Sequence, residues 1–290
     1  MKSSGLFNRS LIIILLSFLA GGLFAQQQSQ SETSEFVPHS GQAGKDVIWV
    51  PTPYDLVDKM LELANVTSKD YVIDLGSGDG RTVIAAAKLG ARAVGIEYNP
   101  DMVKLSEKSA KEAGVAERAK FMKADLFETD LSEATVITMF LLPDINRKLR
   151  PKLLDLKPGT RIVSNTFSMG EWEADSEART DNKNNSWSTA LMWIIPAKVE
   201  GSWNLPDGDL LLHQDFQKVT GELRNGTKSA VISEGRLTGD VIKFKVDDTV
   251  YTGRVKDNNI SGTMLSGSDK INWSATRKTT VGSTSIAHSK

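Results

Sequence analysis

Two acidic residues and three glycines lie together in one short loop of this sequence. The loop, Asp74-Leu75-Gly76-Ser77-Gly78-Asp79-Gly80, directly follows the apolar residues Tyr71-Val72-Ile73. Glycines placed directly after a buried strand allow a tight turn and let a ligand approach the backbone at the carboxyl end of a sheet. A dinucleotide site would instead space its glycines as G-x-G-x-x-G and bind pyrophosphate at the next helix N-terminus. Because Asp79 would repel phosphate, the loop indicates a ligand with positive charge near Asp74 and Asp79.

Two further carboxylates follow the next two apolar runs. Glu97 ends the run Ala93-Val94-Gly95-Ile96, about twenty residues beyond the loop, where a carboxylate can accept hydrogen bonds from both hydroxyls of a ribose. Asp125 follows the next run, Ala119 to Met122, where an adenine amino group would lie. Each acid has an ordinary alternative: Asp79 as a helix cap, Glu97 in an ion pair, Asp125 in a turn. Their order along the chain favours one ligand, S-adenosylmethionine (SAM), whose ammonium and sulfonium groups are both cationic.

The glycine loop and a preceding proline segment resemble the motifs of a known family. Trp49-Val50-Pro51-Thr52-Pro53, followed by the loop and Arg81, is similar to class I SAM-dependent methyltransferases. More narrowly, it resembles a group that includes lysine methyltransferases acting on a mitochondrial ATP synthase membrane subunit, and related bacterial proteins. The resemblance runs from about Val47 to Ala197. It implies that the proline segment lies over the ligand and that SAM contacts Asp74, Gly76, Gly78 and Glu97.

We predict a cofactor-binding set and, separately, a channel for the methyl acceptor. The predicted SAM-binding residues are Asp74, Gly76, Ser77, Gly78, Gly80, Glu97, Tyr98, Asp125 and Leu126. Methyl transfer from a sulfonium is an in-line displacement that needs alignment and exclusion of water, so no dedicated catalytic residue is predicted. A lysine acceptor must first lose a proton, which an aromatic-lined channel favours by lowering its pKa. The candidate channel residues, for which core packing is the alternative, are Trp49, Thr52, Tyr54, Phe140 and Pro143.

Composition argues against two other kinds of site. The formal net charge of -1 provides no field that would attract nucleic acid. Leu141-Leu142-Pro143 stands where amine-directed methyltransferases of nucleic acids and of some proteins have Asn/Asp-Pro-Pro-Tyr. The chain has no cysteine and 3 histidines, which disfavours a metal site. We therefore expect neither a nucleic-acid partner nor a bound metal.

The pattern of apolar residues predicts two domains. Between residues 45 and 199, short apolar runs alternate with amphipathic stretches. This pattern predicts an α/β fold, a Rossmann-like, doubly wound methyltransferase sheet with helices on both faces. From 200 to 277, short alternating runs are separated by glycine and Asp/Asn turns, which predicts a small antiparallel β barrel or sandwich. Residues 278–290 are polar and are expected to form a disordered tail.

The first 44 residues have the pattern of an exported protein. Lys2 and Arg9 precede the apolar run Leu11 to Leu19, so residues 1–25 are predicted to be a signal peptide, with an uncleaved membrane anchor as the open alternative. The placement of these charges predicts that the rest of the chain lies outside the cytoplasm, periplasmic or secreted. Residues 26–44, rich in Gln, Ser, Glu and Gly, are predicted to be a disordered linker.

Export leaves a second function open, because SAM is made in the cytoplasm. The leading hypothesis is a SAM-dependent methyltransferase with a protein lysine as the first acceptor to test. The alternative is a non-catalytic exported module that binds SAM or another adenosine ligand. In either case the β domain is a candidate contact for an envelope or membrane partner.

Overall fold

The computed structural model describes residues 36–181 and 186–278. The predicted signal peptide, the first part of the predicted linker and the tail beyond Lys278 lie outside the described residues. Within these two ranges, no helix combines the length and the apolar character that crossing a membrane requires.

The described residues between 54 and 194 form four helices and seven strands. The helices are α1 Tyr54–Leu63, α2 Arg81–Lys88, α3 Pro100–Glu112 and α4 Pro143–Leu154. The strands are β1 Tyr71–Leu75, β2 Arg92–Glu97, β3 Ala119–Lys123, β4 Val136–Met139, β5 Arg161–Asn165, β6 Ser176–Arg179 and β7 Thr189–Ile194.

The seven strands form one mixed sheet in the order β3-β2-β1-β4-β5-β7-β6. β1 pairs in parallel with both β2 and β4, so the chain changes direction across the sheet at β1. Such a switch point leaves a crevice outside the carboxyl ends of the strands, where ligands bind in folds of this type. β7 runs antiparallel between β5 and β6. The predicted doubly wound sheet is confirmed, and its last two strands make it mixed.

Apolar side chains cover both faces of this sheet. One core gathers α1, α2 and α3 around residues such as Leu56 and Val83. The other core contains Leu149 of α4 together with Trp172 and Trp193. Strands covered on both faces need continuous apolar runs, and all of β4 is buried. The helices therefore hold the carboxyl ends of the central strands in fixed positions.

Eight further strands form a closed antiparallel barrel. They are β8 Gly201–Leu205, β9 Gly208–Asp215, β10 Lys218–Asn225, β11 Lys228–Thr238, β12 Val241–Val246, β13 Thr249–Lys256, β14 Asn259–Ser266 and β15 Asp269–Arg277. Each strand pairs with its neighbour in sequence, and β15 closes the ring on β8 where Arg277 pairs with Trp203. The predicted antiparallel domain is thus a barrel, and closure removes the unpaired edges that an open sheet would expose.

The barrel is attached to the amino-terminal edge of the sheet. The Phe216 ring stacks on Trp172 with ring centroids 5.7 Å apart. The buried Gln217 amide donates to a backbone carbonyl of the segment before β6 at 2.8 Å. Gly159, just before β5, packs against the turn between β11 and β12. Because β1, β4 and β5 are parallel, this is the edge opposite to the glycine loop, and the barrel lies away from the crevice.

Candidate active site

A pocket opens at the carboxyl edge of the sheet, beside β1, β2 and β4. Most of the predicted SAM-binding residues line it: Asp74, Gly76, Ser77, Glu97, Tyr98, Asp125 and Leu126. Gly78 and Gly80 belong to the same loop but do not line the pocket. The predicted channel residues Trp49, Thr52 and Phe140 also line the pocket. The structure therefore brings together residues from across 113 positions of sequence, as the contact between Thr52 and Asn165 illustrates.

The glycine loop has a backbone shape that only glycine adopts without strain. Gly76, Gly78 and Gly80 have φ angles of 74°, 54° and 80°. A Cβ atom at Gly78 would lie 2.3 Å from Nε1 of Trp49. The Ser106 hydroxyl, on α3, donates to the Gly78 carbonyl at 2.9 Å and fixes the loop to that helix. Because Gly78 has no side chain, a ligand can approach the backbone of this loop closely.

Glu97 is held in place by backbone donors on both sides. Its Oε2 accepts from Gly78 N at 2.9 Å, and its Oε1 accepts from Asn99 N at 2.8 Å. Each carboxylate oxygen has a second lone pair. The orientation therefore suits the predicted role, in which Glu97 accepts hydrogen bonds from the two ribose hydroxyls.

Asp74 lies buried at the end of β1, with 6% of its surface exposed. Burial raises the pKa of its carboxyl group to about 7, against the opposing effect of a hydrogen bond from Thr138 Oγ1 at 2.7 Å. The nearby charges of Asp79 and Glu97 raise the pKa further. A cationic ligand stabilises a carboxylate in such surroundings. This site therefore fits the ammonium and sulfonium groups of SAM.

Asp79 is paired with a neighbouring arginine. Arg81 donates to it from Nε at 3.0 Å and from Nη2 at 2.5 Å. The same guanidinium donates from Nη1 to the Thr52 carbonyl at 2.8 Å and lies 4.6 Å from the centroid of the Tyr54 ring. The expectation that Asp79 offers free negative charge to the ligand is thereby corrected, because the pair neutralises it. Arg81 in turn links Asp79 to the proline segment through the Thr52 carbonyl.

Two of the predicted channel residues are not brought into the pocket. Tyr54 is 67% exposed, its ring lies against the Arg81 guanidinium, and it does not line the pocket. Pro143 is the first residue of α4, where its fixed φ suits a first helical turn. The linear spacing did not show which side of each segment faces the pocket.

Asp125 lies at the rim of the pocket and already has partners. Its Oδ1 accepts from Phe127 N at 2.9 Å, which is the turn contact that the sequence left as an alternative. Its Oδ2 is ion-paired with Lys45, whose ammonium holds the pKa of Asp125 below its usual value. Lys45 also lies 4.8 Å from the centroid of the Tyr98 ring. Adenine binding at Asp125 remains a prediction that this ion pair would have to accommodate.

The described part of the predicted linker is ordered against the pocket. Gly41 N donates to the Trp49 carbonyl at 2.8 Å, and Trp49 N donates to the Gln42 carbonyl at 2.9 Å. Gln42, Ala43 and Gly44 line the pocket. The prediction of disorder is thus wrong for these residues. Their polar composition offers little burial, but backbone hydrogen bonds and a turn at Gly41, with φ of 88°, order them instead.

Three aromatic rings form a cluster beside the pocket. Phe140 stacks on Phe167 at a centroid distance of 5.9 Å, and Trp187 lies 5.2 Å from Phe140 and 5.6 Å from Phe167. Asn165 Nδ2, at the end of β5, donates to Thr52 Oγ1 at 3.2 Å. Sequence reasoning missed Asn165, Phe167 and Trp187. Asn165 is the last residue of β5 and Phe167 lies two residues beyond it, which was a usable signal because the carboxyl ends of parallel strands meet at one edge.

Comparisons with known proteins identify the family. The family model described as ANTKMT methyltransferase domain matches residues 74–176, and one described as DNA methylase matches residues 26–108. A protein-lysine N-methyltransferase of Saccharolobus islandicus (strain REY15A) is 42% identical over 163 residues, covering 55% of this chain and 96% of that protein. A lysine N-methyltransferase of Mus musculus, named for the adenine nucleotide translocase, is 38% identical over 104 residues, covering 35% of this chain and 45% of that protein.

A solved structure is also similar. The RNA methyltransferase from Salinibacter ruber in complex with S-adenosyl-L-homocysteine is 52% identical, covering 52% of this chain and 96% of that chain, with a TM-score of 0.49. The chain covers nearly all of the Saccharolobus protein at 42% identity. It therefore belongs to the class I SAM-dependent methyltransferase family, in the group of these lysine methyltransferases, and is an enzyme with SAM as its cofactor.

Proposed function

We propose that the enzyme methylates the side-chain amine of a lysine in a protein substrate. The observation that carries this proposal is the aromatic cluster of Phe140, Phe167 and Trp187 beside the pocket. Aromatic faces attract ammonium groups, and an apolar surrounding lowers the pKa of a lysine amine, which favours the neutral, nucleophilic form. The names of two relatives, both lysine N-methyltransferases, support the same acceptor class.

The arrangement of the pocket explains how the chain would align donor and acceptor. Glu97 would hold the ribose and Asp74 would lie near the cationic groups, with the glycine loop against the cofactor. When bound, SAM supplies a methyl group on a positively charged sulfur. Phe140 belongs both to the pocket lining and to the aromatic cluster, which supports a meeting of donor and acceptor beside it. Holding two reactants in line can lower the barrier by about 7 to 11 kcal/mol.

The cofactor-binding residues can be tested by calorimetric titration of purified protein with SAM. Glu97→Ala removes charge-assisted hydrogen bonds and should weaken binding by about 10- to 100-fold. Glu128→Ala removes an exposed carboxylate outside the pocket lining and should leave binding unchanged. Absence of binding to the wild-type protein would contradict the assignment of the pocket.

The acceptor can be tested with SAM that carries a labelled methyl group, incubated with a membrane extract. Label is expected in protein, and hydrolysis should release it as methylated lysine. Label in RNA or DNA would overturn the lysine proposal in favour of a nucleic-acid acceptor. Binding of SAM without transfer to several extracts would support the non-catalytic alternative.

We also propose that the chain is exported and that its barrel contacts an envelope or membrane partner. The charge and apolar pattern of residues 1–25 supports export. The barrel is fused at the sheet edge away from the pocket, which leaves its surface free to contact a partner without blocking the pocket. A C-terminal reporter that is active only outside the cytoplasm should be active in this fusion. The matching control is a second C-terminal fusion, to a reporter that works only inside the cytoplasm. Activity of that second fusion, with none from the first, would contradict export.

A further inference from the structure

Residues 41–50 form a short hairpin along one side of the pocket. Backbone hydrogen bonds join its two arms, and Ala43 forms an antiparallel bridge with Ile48. A tight turn begins at Gly44, where a Cβ atom would lie 2.2 Å from a backbone oxygen across the turn. Every residue from 42 to 52 lines the pocket. The pocket therefore lies between this hairpin and the carboxyl edge of the sheet.

Little burial attaches the hairpin to the sheet domain. None of residues 41–50 is buried. Among the described residues, no backbone hydrogen bond joins the hairpin to the rest of the domain. Segments with few buried contacts and with backbone bonds exposed to solvent open locally at a low cost in free energy. The hairpin can therefore open while the sheet stays folded.

The base of the hairpin is fixed more firmly than its tip. At the base, Thr52 is buried and its carbonyl accepts from Arg81 Nη1 at 2.8 Å. The prolines on either side of Thr52 further restrict the backbone there. At the tip, Lys45 forms an ion pair with Asp125, and its ammonium lies 4.8 Å from the centroid of the Tyr98 ring. Opening would therefore move the tip about a base that stays in place.

The contacts between base and tip are weaker. The Gln42 amide donates to the Met102 sulfur at 3.6 Å, and a thioether is a weak acceptor. The Trp49 indole packs against Gly78 in the glycine loop. The ion pair is thus the contact that joins the hairpin to the far rim of the pocket.

The ion pair crosses the pocket rim where the nucleoside is predicted to bind. Lys45 lines the pocket from the hairpin and Asp125 from the segment after β3. Asp125 Oδ1 accepts from Phe127 N at 2.9 Å, which fixes the carboxylate beside Lys45. Each carboxylate oxygen has a second lone pair, so Asp125 can hold Lys45 and an adenine amine together.

We propose that the hairpin is a movable cover over the adenosine part of the pocket and that the ion pair between Lys45 and Asp125 holds it closed. SAM enters, and S-adenosyl-L-homocysteine leaves, when this pair breaks and the tip moves outward. The pair therefore slows both steps. This inference rests on the placement of SAM in this pocket, which the tests below examine separately.

An ion pair that is partly exposed suits a cover that must both close and open. The side chains of Lys45 and Asp125 are 35% and 27% exposed. Water and salt can compete for such a pair, so it contributes a small barrier that breaks often. Closure excludes water during methyl transfer, and opening of lids commonly limits product release.

The first test measures exchange of S-adenosyl-L-homocysteine by rapid mixing, followed through tryptophan fluorescence because Trp49 lines the pocket. Lys45→Met keeps the length of the side chain and removes its charge. Association and dissociation should both become about 3- to 10-fold faster. The dissociation constant from calorimetry should change less than either rate, because the cover lies on the path in both directions.

Lys245→Met is the matched control for this variant. Lys245 has a side chain 37% exposed and is ion-paired with Glu234 on the barrel, away from the pocket. It should leave both rates unchanged, whereas Lys45→Arg, which keeps the charge, should restore slow exchange. Unchanged rates in Lys45→Met would overturn the proposal. Faster dissociation with an equal loss of affinity would also overturn it, because Lys45 would then be a direct ligand contact.

The second test varies ionic strength from about 0.05 M to about 1 M, which screens the ion pair. S-adenosyl-L-homocysteine carries one ammonium and one carboxylate, so it has no net charge near neutral pH. Its dissociation from the wild-type protein should accelerate with salt toward the rate of Lys45→Met, and the rate of that variant should stay nearly constant. Equal salt dependence in both proteins would overturn the proposal.

The two assumptions fail in different ways. If the wild-type protein binds neither SAM nor S-adenosyl-L-homocysteine, the placement of the cofactor in this pocket is wrong. If it binds both and exchange does not respond to the change at Lys45, the pocket assignment stands and the hairpin is not a cover held by this ion pair.

Discussion

The pocket edge of the sheet and the barrel treat buried polar groups differently. Among the described residues, the buried side-chain polar atoms without hydrogen-bond partners all belong to the sheet domain, and Ser77, Asn165 and Thr166 among them lie at the pocket edge. In the barrel, the indole N–H groups of Trp203 and Trp273 donate to backbone carbonyls at 2.9 Å and 3.1 Å. An unpartnered buried polar group costs stability. Among the described residues, the sheet domain therefore retains buried polar atoms without partners, some of them at the pocket edge, whereas the barrel retains none.

This difference can be tested with variants that should affect one region and not the other. Variants at the pocket edge should alter binding or rate with little change in folding. Variants where the barrel is attached should alter folding and leave the pocket intact, because the two lie at opposite edges of the sheet.

The largest effect is expected for Gly78→Arg in the glycine loop. A side chain there would collide with Trp49 and fill the space beside the glycine loop, so SAM affinity should fall by more than about 100-fold. Gly226→Arg is a matched control, because Gly226 also has a positive φ, of 59°, and has no atom near its missing Cβ. Calorimetric titration of both variants with SAM measures the difference in affinity. Retained SAM binding in Gly78→Arg would contradict the position of the pocket.

Phe216→Ala should be the next largest change, and it should affect stability alone. The variant removes the ring that stacks on Trp172 and should lower the free energy of unfolding by about 2 kcal/mol. Urea denaturation measures this loss, with the 76% exposed Val231, changed to alanine, as a control that should cost almost nothing. If SAM affinity falls in the folded Phe216→Ala protein, the two edges are coupled and the comparison fails.

A third effect concerns Asp74 and pH. Cationic SAM favours the ionised carboxylate, whose pKa in the empty protein is about 7. Binding below that pH must therefore release a proton, and SAM affinity should fall by up to about tenfold for each pH unit below it. Calorimetry across this range measures the slope. Asp74→Asn cannot ionise and should bind SAM weakly with no such slope, and an equal slope in this variant would exclude Asp74 as its source.

SAM affinity should rise with pH, but the stability of the protein without SAM should fall with pH because of the same Asp74 carboxyl group. Its folded pKa lies above the ordinary 3.8. Its contribution to the free energy of unfolding is therefore fully present below that ordinary pKa and is lost as the pH rises through about 7. The rise in Tm caused by SAM should then be larger at about pH 8 than at about pH 6. Thermal melts with and without SAM test this sign.

The smallest effect is expected for Thr166→Gly. Glycine relieves the strain at φ of 61° and should raise the free energy of unfolding by about 1 kcal/mol. The methylation rate should nevertheless fall, because the turn that positions Phe167 becomes less rigid. Asp257→Gly relieves a similar φ of 53° in a barrel turn and should stabilise the protein without changing the rate. A faster Thr166→Gly enzyme would show that the strain has no role in the site.

Local patterns were sufficient for much of the fold. Apolar runs alternating with amphipathic stretches predicted the doubly wound sheet, since a strand buried on both faces must be apolar throughout. Glycine and Asp/Asn turns predicted the antiparallel domain. Whether that domain is a barrel or a sandwich was left open, because closure depends on the pairing of Arg277 with Trp203, two residues far apart in sequence.

The acceptor side of the site could not be predicted in the same way. Asn165 reaches Thr52 across 113 positions, and the rings of Phe140, Phe167 and Trp187 come from separate segments. Lys45, which pairs with Asp125, lies directly after a stretch that composition alone assigned to a disordered linker. Such contacts depend on how elements pack, and no spacing along the chain encodes them.

The sequence by itself determined the donor side of the pocket. The glycine loop and Glu97 follow consecutive strands, and the chemistry of a turn and of a strand end depends on residues that are neighbours in the chain. Tertiary structure decided the rest: it brought Arg81 to the Thr52 carbonyl, placed the Tyr54 ring against Arg81 and left Asn165 Oδ1 buried without a partner. The physical reason is that charge compensation and burial are set by neighbours in space.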